Sequence, residues 1–235
     1  MNAKRSDILG KLMHGRKMTF NELWGNEGES NKFAYHLKVL EEDGFVKKTK
    51  DTYCLTHEGK KYCAYIEGGT GKKSEFPLIG VIVVIRDEKT GKVLMSRRTK
   101  EPFYGYCGFI GGKMKFSQYI YEAAEAEVFE ETGLTCDFEL KGIFSSKTYN
   151  NESLSYSHQM FILLGKNHKG ELIEKTREGE NCWASEEEIS KMKTFPNVPY
   201  SIKMIKGEGF KWIEMDRFQK DDEFIGKKIL KDESF

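Results

Sequence analysis

Glu122-Ala123-Ala124-Glu125-Ala126-Glu127-Val128-Phe129-Glu130-Glu131-Thr132-Gly133 is the stretch on which the reading of this chain turns. It holds five glutamates, and neither Lys nor Arg occurs anywhere between Phe116 and Leu140. The run of good helix formers closed by a glycine predicts a helix over roughly 119–132 that stops at Gly133. Glu127, Glu130 and Glu131 stand at i, i+3 and i+4, so they share one face. Like charges at that spacing repel by a few tenths of a kcal/mol per pair, and negative charge near a helix C-terminus opposes the macrodipole. One reading is an acidic, solvated face. The other is a site for a hard divalent cation, since Mg²⁺ takes carboxylate oxygens together with substrate phosphates. The preceding Phe109-Ile110-Gly111-Gly112-Lys113 favours the second, because a Gly pair lets backbone come close to a ligand or metal.

Outward from this helix the texture is that of a mixed α/β unit. Leu78-Ile79-Gly80-Val81-Ile82-Val83-Val84-Ile85 predicts a strand buried on both faces. Asp87 to Gly91 predicts a turn, and Val93 to Arg98 a second strand. Further strands are expected at 143–147 and 159–164, a short helix capped by Ser185, and one or two helices in the charged, aromatic tail from Tyr200. His158, just before an apolar strand, reads as structural. Phe103, Tyr104 and Tyr106 read as a packing cluster, with base stacking as the alternative.

The first 70 residues differ. Apolar positions Ile8, Leu9, Leu12 and Met13 predict one helix. Thr19 caps a second and Ser30 a third, with Phe33, Leu37, Val39 and Leu40 inward and a stop at Gly44. Two short strands turning near Lys50-Asp51 follow, then a helix from Thr56 through Tyr65. Helix, helix, helix, hairpin and helix is the order of a winged helix-turn-helix. Gly68-Gly69-Thr70-Gly71-Lys72-Lys73-Ser74 has linker composition, giving domains at 1–67 and 77–235 with a linker at 68–76.

At this point a resemblance becomes specific. Gly112, Glu127, Val128, Glu130, Glu131, Gly133 and Leu134 match the box G-x5-E-x7-R-E-U-x-E-E-x-G-U of the Nudix hydrolases, where U is a bulky apolar residue. Ser96-Arg97-Arg98, the Gly111-Gly112 turn, Glu122-Ala123-Ala124 and Trp183-Ala184-Ser185 also resemble that family, and the likeness covers about residues 77–195. Two positions depart from the box: Gln118 stands where it has its first acidic residue, and Ala126 where it has arginine. The resemblance implies an α+β chain whose second part is a Nudix α/β/α sandwich with a mixed sheet. It implies Mg²⁺- or Mn²⁺-dependent hydrolysis of a nucleoside diphosphate linked to another group. Glu127, Glu130, Glu131 and Gly112 would then hold metal, with Glu127 and Glu131 catalytic. Arg97 and Arg98, of which strand alternation lets only one face the site, would bind substrate with Gly111 and Gly112, and the general base would be Glu178 or Glu180. The departures at Gln118 and Ala126 open the alternative of a ligand-sensing transcriptional regulator whose Nudix part binds a nucleotide derivative and cleaves little or none.

Ser30 to Val46, with Leu55-Thr56-His57-Glu58-Gly59-Lys60, resembles the ArsR-like winged-helix regulators over residues 5–66. This implies double-stranded DNA as partner, read by Asn31, Lys32, Tyr35, His36 and Lys38 on the outward face, and a homodimer to read paired half-sites. Protein contact is the other use of such a module.

The totals leave room for both parts. The chain has 235 residues, 38% hydrophobic and 32% charged, with a net charge of +1. Residues 1–75 carry 14 Lys/Arg against 11 Asp/Glu, so the surplus of positive charge lies there. Five cysteines without a C-x-x-C pair imply reduced, mostly buried thiols and a cytoplasmic protein. No apolar run reaches membrane-spanning length, and no signal peptide is visible at the N-terminus.

Overall fold

The computed structural model describes residues 2–65, 74–221 and 223–235. The chain divides into two compact units, Met1–Phe76 and Pro77–Phe235. Residues 68–73 of the expected linker lie outside the described residues.

The first unit runs α1 (Ala3–Gly15), β1 (Met18–Thr19), α2 (Phe20–Trp24), α3 (Ser30–Glu42), β2 (Val46–Thr49), β3 (Thr52–Leu55) and α4 (His57–Cys63). Its three strands pair antiparallel in the order β1-β3-β2. Ile8, Leu9, Leu12, Leu23, Phe33, Leu37, Leu40 and Val46 form the core. Thr19 caps α2 in a full capping box with Glu22, and Thr56 caps α4 by accepting from the Gly59 N–H. The start of α3 differs from the sequence reading. Its N-cap is Glu29, which makes no side-chain capping bond, and Ser30 is the first helical residue.

The second unit runs β4 (Leu78–Ile85), β5 (Val93–Arg98), β6 (Cys107–Gly108), β7 (Ile110–Lys113), α5 (Ile120–Thr132), β8 (Thr135–Asn150), β9 (Ser153–Lys169), β10 (Gly179–Ala184), α6 (Glu186–Ser190), α7 (Val198–Lys206), β11 (Lys211–Lys220) and β12 (Glu223–Ser234). A six-stranded mixed sheet has the order β12-β11-β8-β9-β4-β7, and a smaller antiparallel sheet has the order β10-β5-β6. β4 is parallel to β9 and β11 is parallel to β8, while the other pairs in the large sheet are antiparallel. Alternation along β4 divides two cores. Val81, Val83 and Ile85 pack with Ala123, Ala124 and Val128 of α5. Val84 packs on the other face with Phe144, Ile213, Met215 and the α7 residues Val198 and Met204.

The tail departs from the expected one or two helices. Among the described residues of the tail only Val198–Lys206 is helical; Lys211–Lys220 and Glu223–Ser234 pair antiparallel and widen the sheet. Ile213 and Met215 are buried while Glu214 and Asp216 are less so, a two-residue period that fits a strand. All five cysteines are free thiols, but only Cys63 and Cys107 are buried. No helix among the described residues is long and apolar enough to cross a membrane.

Candidate active site

The acidic helix is held tightly at both ends. The Glu122 carboxylate accepts from the Tyr119 N–H (2.8 Å) at its start, and Gly133 closes it in the left-handed conformation (φ 72°). Near its C-terminus, the Asn181 side-chain amide donates to the Glu131 and Ile173 carbonyls, each at 2.8 Å, which ties α5 to the segment before β10.

Glu127, Glu130 and Glu131 lie on one stretch of this helix, each engaged by a different neighbour. Gly112 pairs with Val81 in the sheet and so turns towards α5. A Cβ at Gly112 would stand 2.5 Å from a Glu127 carboxylate oxygen, so only glycine lets that carboxylate lie against the strand. The Gly111 backbone acts on the Glu131 carboxylate, lowering its pKa against the larger effect of burial. Burial, then the charge of Glu127, raises the Glu131 pKa to about 7. Burial, then Glu130, also raises that of Glu127. Glu130 is exposed and faces Arg177 at 3.7 Å.

Cations surround the cluster although α5 carries none. Arg177 stands 3.7 Å from both Glu130 and Glu178. Lys100 pairs with Glu178, and its charge also bears on Glu131 and Glu127; burial, then Arg98, lowers its pKa. Lys115 acts on Glu127. Lys100 and Arg177 were missed in the sequence because they come from loops far from the helix, and Lys115 because it stands in the loop before it with no spacing that ties it to Glu127. A basic residue near an acidic one in space leaves no local trace.

Gly111 and Gly112, expected in a turn, are paired residues of β7, and beside them opens a cleft of about 510 Å³. Arg98 lines it, and its guanidinium is held by the Pro102 carbonyl (2.6 Å) and the Glu101 carbonyl (3.2 Å). Arg97 does not line it. Successive strand residues point to opposite sides, and Arg97 pairs with Glu180, which also binds Lys175 at 3.0 Å. Arg97 and Glu180 are therefore engaged with each other away from the cleft, so Arg98 is the one of the two arginines that faces it. Glu178 is half-buried on the carboxylate side. Phe103 lines the cleft and stacks on Phe224 at 5.0 Å between centroids, Tyr106 is buried and Tyr104 is exposed. His158, read as structural, lies in the cleft wall with Arg217.

Among the described residues no three His, Cys, Asp or Glu side chains are grouped closely enough to hold a metal ion. The chemistry of the donors nonetheless fits a hard divalent cation. Glu127, Glu130 and Glu131 offer oxygen only, and two of them carry the penalty of buried, mutually repelling carboxylates that such a cation relieves. Grouping all three would require Glu130 to turn from Arg177.

In the first unit, Asn31, Lys32, Tyr35 and Lys38 are exposed on α3, and His36 is half-buried against Tyr35. Lys32 is paired with Glu29 at 2.9 Å and Lys38 with Glu42 at 3.6 Å. A separate groove of about 700 Å³ is lined by Arg16, Lys17, Lys47 and Lys60, with no acidic residue in its wall.

Comparison with known proteins adds the following. The model of the NUDIX domain matches residues 77–206, and that of a "Domain of unknown function (DUF7347)" matches residues 1–66. No curated protein matches the chain. The crystal structure of a MutT protein from Bacillus halodurans is 22% identical with a TM-score of 0.51, covering 65% of this chain and 97% of that one. The NUDIX domain of Shewanella oneidensis NrtR, solved as a cocrystal with ADP ribose, is 15% identical with a TM-score of 0.50, also covering 65% and 97%. At these identities the likeness is one of fold.

Proposed function

This chain belongs to the NUDIX family, and from that premise we propose that it hydrolyses a nucleoside diphosphate linked to another group, with Mg²⁺ or Mn²⁺, and that its first unit is a winged helix-turn-helix that binds double-stranded DNA. One observation carries the enzymatic reading. Glu127 and Glu131 lie against the Gly111-Gly112 segment of β7, and that segment also lines a cleft that Arg98 faces.

Glu127, Glu131 and Glu130 would hold the metal, with a Gly112 carbonyl as a further donor. When bound, the metal supplies Lewis acidity, a water of lowered pKa and neutralisation of phosphate charge. Arg98 is preset by two backbone carbonyls to donate to a diphosphate oxygen, and Lys100 places a second positive charge beside it. Glu178 is the candidate general base, held between Lys100 and Arg177.

The test is turnover of a nucleotide panel by the full chain with Mg²⁺ or Mn²⁺. The panel includes ADP ribose, NAD, dinucleoside polyphosphates, nucleoside triphosphates and sugar nucleotides, with Glu131→Gln as control. Turnover that the control lowers by at least about a hundredfold establishes the hydrolase. Turnover equal in the control removes the carboxylate site from the reaction. Binding without turnover favours the second reading, a ligand-sensing DNA-binding regulator. Ala126 supports that reading, because the box arginine that would hold the glutamates in place is missing.

The element order of the first unit, the exposed α3 residues Asn31, Lys32, Tyr35 and Lys38, and the acid-free basic groove support DNA binding. A homodimer in the cytoplasm, reading paired half-sites, completes this proposal.

A further inference from the structure

The cleft has a second positive end that the hydrolysis reading does not use. Arg217 is brought there by the parallel pairing of β11 on β8, which sets it opposite Thr148. Its Nε donates to the Thr148 hydroxyl at 2.9 Å, and an NH2 nitrogen lies 3.3 Å from His158 Nδ1. Its guanidinium also lies over the Phe224 ring, 5.5 Å from the centroid. These two bonds use two of the five N–H donors that arginine carries. No carboxylate among the described residues forms an ion pair with it.

Arginine only donates, so the contact with His158 fixes the imidazole as well. Nδ1 must accept, which leaves the proton on Nε2 and the ring neutral. Burial, then Arg217 and Lys113, hold the His158 pKa down at about 4 in agreement with this. Burial likewise lowers the Arg217 pKa to about 10, a mark of an incompletely solvated cation. Lys113 lines the same cleft, and no Asp or Glu does. Between this end and Arg98 the wall is apolar and aromatic, with Phe103, Phe109, Phe144, Met160 and Phe195. A desolvated guanidinium with donors to spare recovers its lost hydration from a full negative charge better than from a neutral carbonyl.

We propose that Arg217 and His158 form a subsite for an anionic oxygen group, a phosphate or carboxylate, carried by the ligand apart from its diphosphate. The substrate class is then a nucleoside diphosphate derivative bearing one further anion. This rests on the reading that the cleft takes such a derivative.

The experiment uses the full chain and three proteins: wild type, Arg217→Gln and Arg217→Lys. Calorimetry compares two ligand pairs at fixed ionic strength: ADP ribose with its 2′-phosphate, and UDP-glucose with UDP-glucuronate. Wild type is expected to bind the member of one pair with the additional anion about tenfold more tightly than its partner. The phosphate pair or the carboxylate pair then identifies the anion. Arg217→Gln should abolish that preference, with the larger loss on the member that carries the additional anion, and Arg217→Lys should keep part of it. Equal wild-type affinity within both pairs overturns the subsite and leaves the nucleotide reading intact. If neither pair binds, the broader nucleotide panel decides the nucleotide reading, and inorganic phosphate decides the subsite alone. A saturable shift of the His158 ring resonances that disappears in Arg217→Gln supports it, and no saturable shift overturns it.

Discussion

At the residue scale, the position that most affects chemistry is one where a side chain is small. Ala126 sits one turn before Glu130, and the positive charge that Glu130 meets comes from Arg177 on a loop, at 3.7 Å. A loop cation that is largely exposed holds a carboxylate less firmly than one on the same helix. Ala126→Arg with Gln118→Glu should therefore raise kcat on the best panel substrate by on the order of tenfold. An unchanged kcat in the folded double variant would mean that glutamate orientation is not limiting. His158 gives a pH prediction of definite sign. Its pKa falls from an ordinary 6.5 to about 4, so between those values the unfolded chain binds a proton that the folded chain refuses. Stability should fall as pH drops from 6.5 towards 4, and the penalty should be absent above 6.5. An NMR titration of His158 checks this, and a midpoint near 6.5 would refute the assigned tautomer. Glu127, Glu130 and Glu131 were legible in the sequence because their spacing is local. Arg217 was not, since it meets His158 across 59 residues of chain through strand pairing alone.

At the scale of elements, the helix and the glycine pair of β7 work as one device. Gly112 is bare on the face where Glu127 lies, and the Gly111 backbone acts on Glu131. Gly112→Ala should push the Glu127 carboxylate away and reduce turnover on the order of a hundredfold, measured beside the thermal midpoint to separate placement from unfolding. Turnover within about twofold of wild type would show that Glu127 need not lie against the strand. Sequence periodicity placed α5, β4 and β5 well because each carries a clear pattern of its own. It expected short strands at 143–147 and 159–164, whereas β8 and β9 reach Thr135–Asn150 and Ser153–Lys169. The extensions mix polar residues with a few inward ones such as Cys136, Phe138 and Leu140, and they gain strand form from pairing with one another, which no window along one segment reveals. The hairpin of β11 and β12 escaped for a related reason. Its buried set is little more than Ile213, Met215 and Gln219, too sparse against the surrounding charge.

For the whole molecule, the two units divide the work proposed for them. Lys32→Ala with Lys38→Ala should weaken DNA binding and reduce the magnitude of the slope of log K against log salt by about 2, read by fluorescence anisotropy over a salt series. Both lysines must first leave Glu29 and Glu42, so the loss of affinity should be smaller than for two free cations. An unchanged slope would place the contact elsewhere, with the groove of Arg16, Lys17, Lys47 and Lys60 next in line. The order of elements in the first unit was legible in the sequence; what its outward face touches is not encoded in the core positions that make it fold. The hairpin that widens the large sheet has one more consequence. β12 is its outermost strand, and one side of that strand has no pairing partner within the sheet. An open edge of this length invites another chain to add a strand. Here Lys227, Lys228 and Lys231 stand exposed along it, so a second copy approaching edge to edge would bring like charges together. The hairpin that brings Arg217 to the cleft thus also guards the sheet against growing into an aggregate.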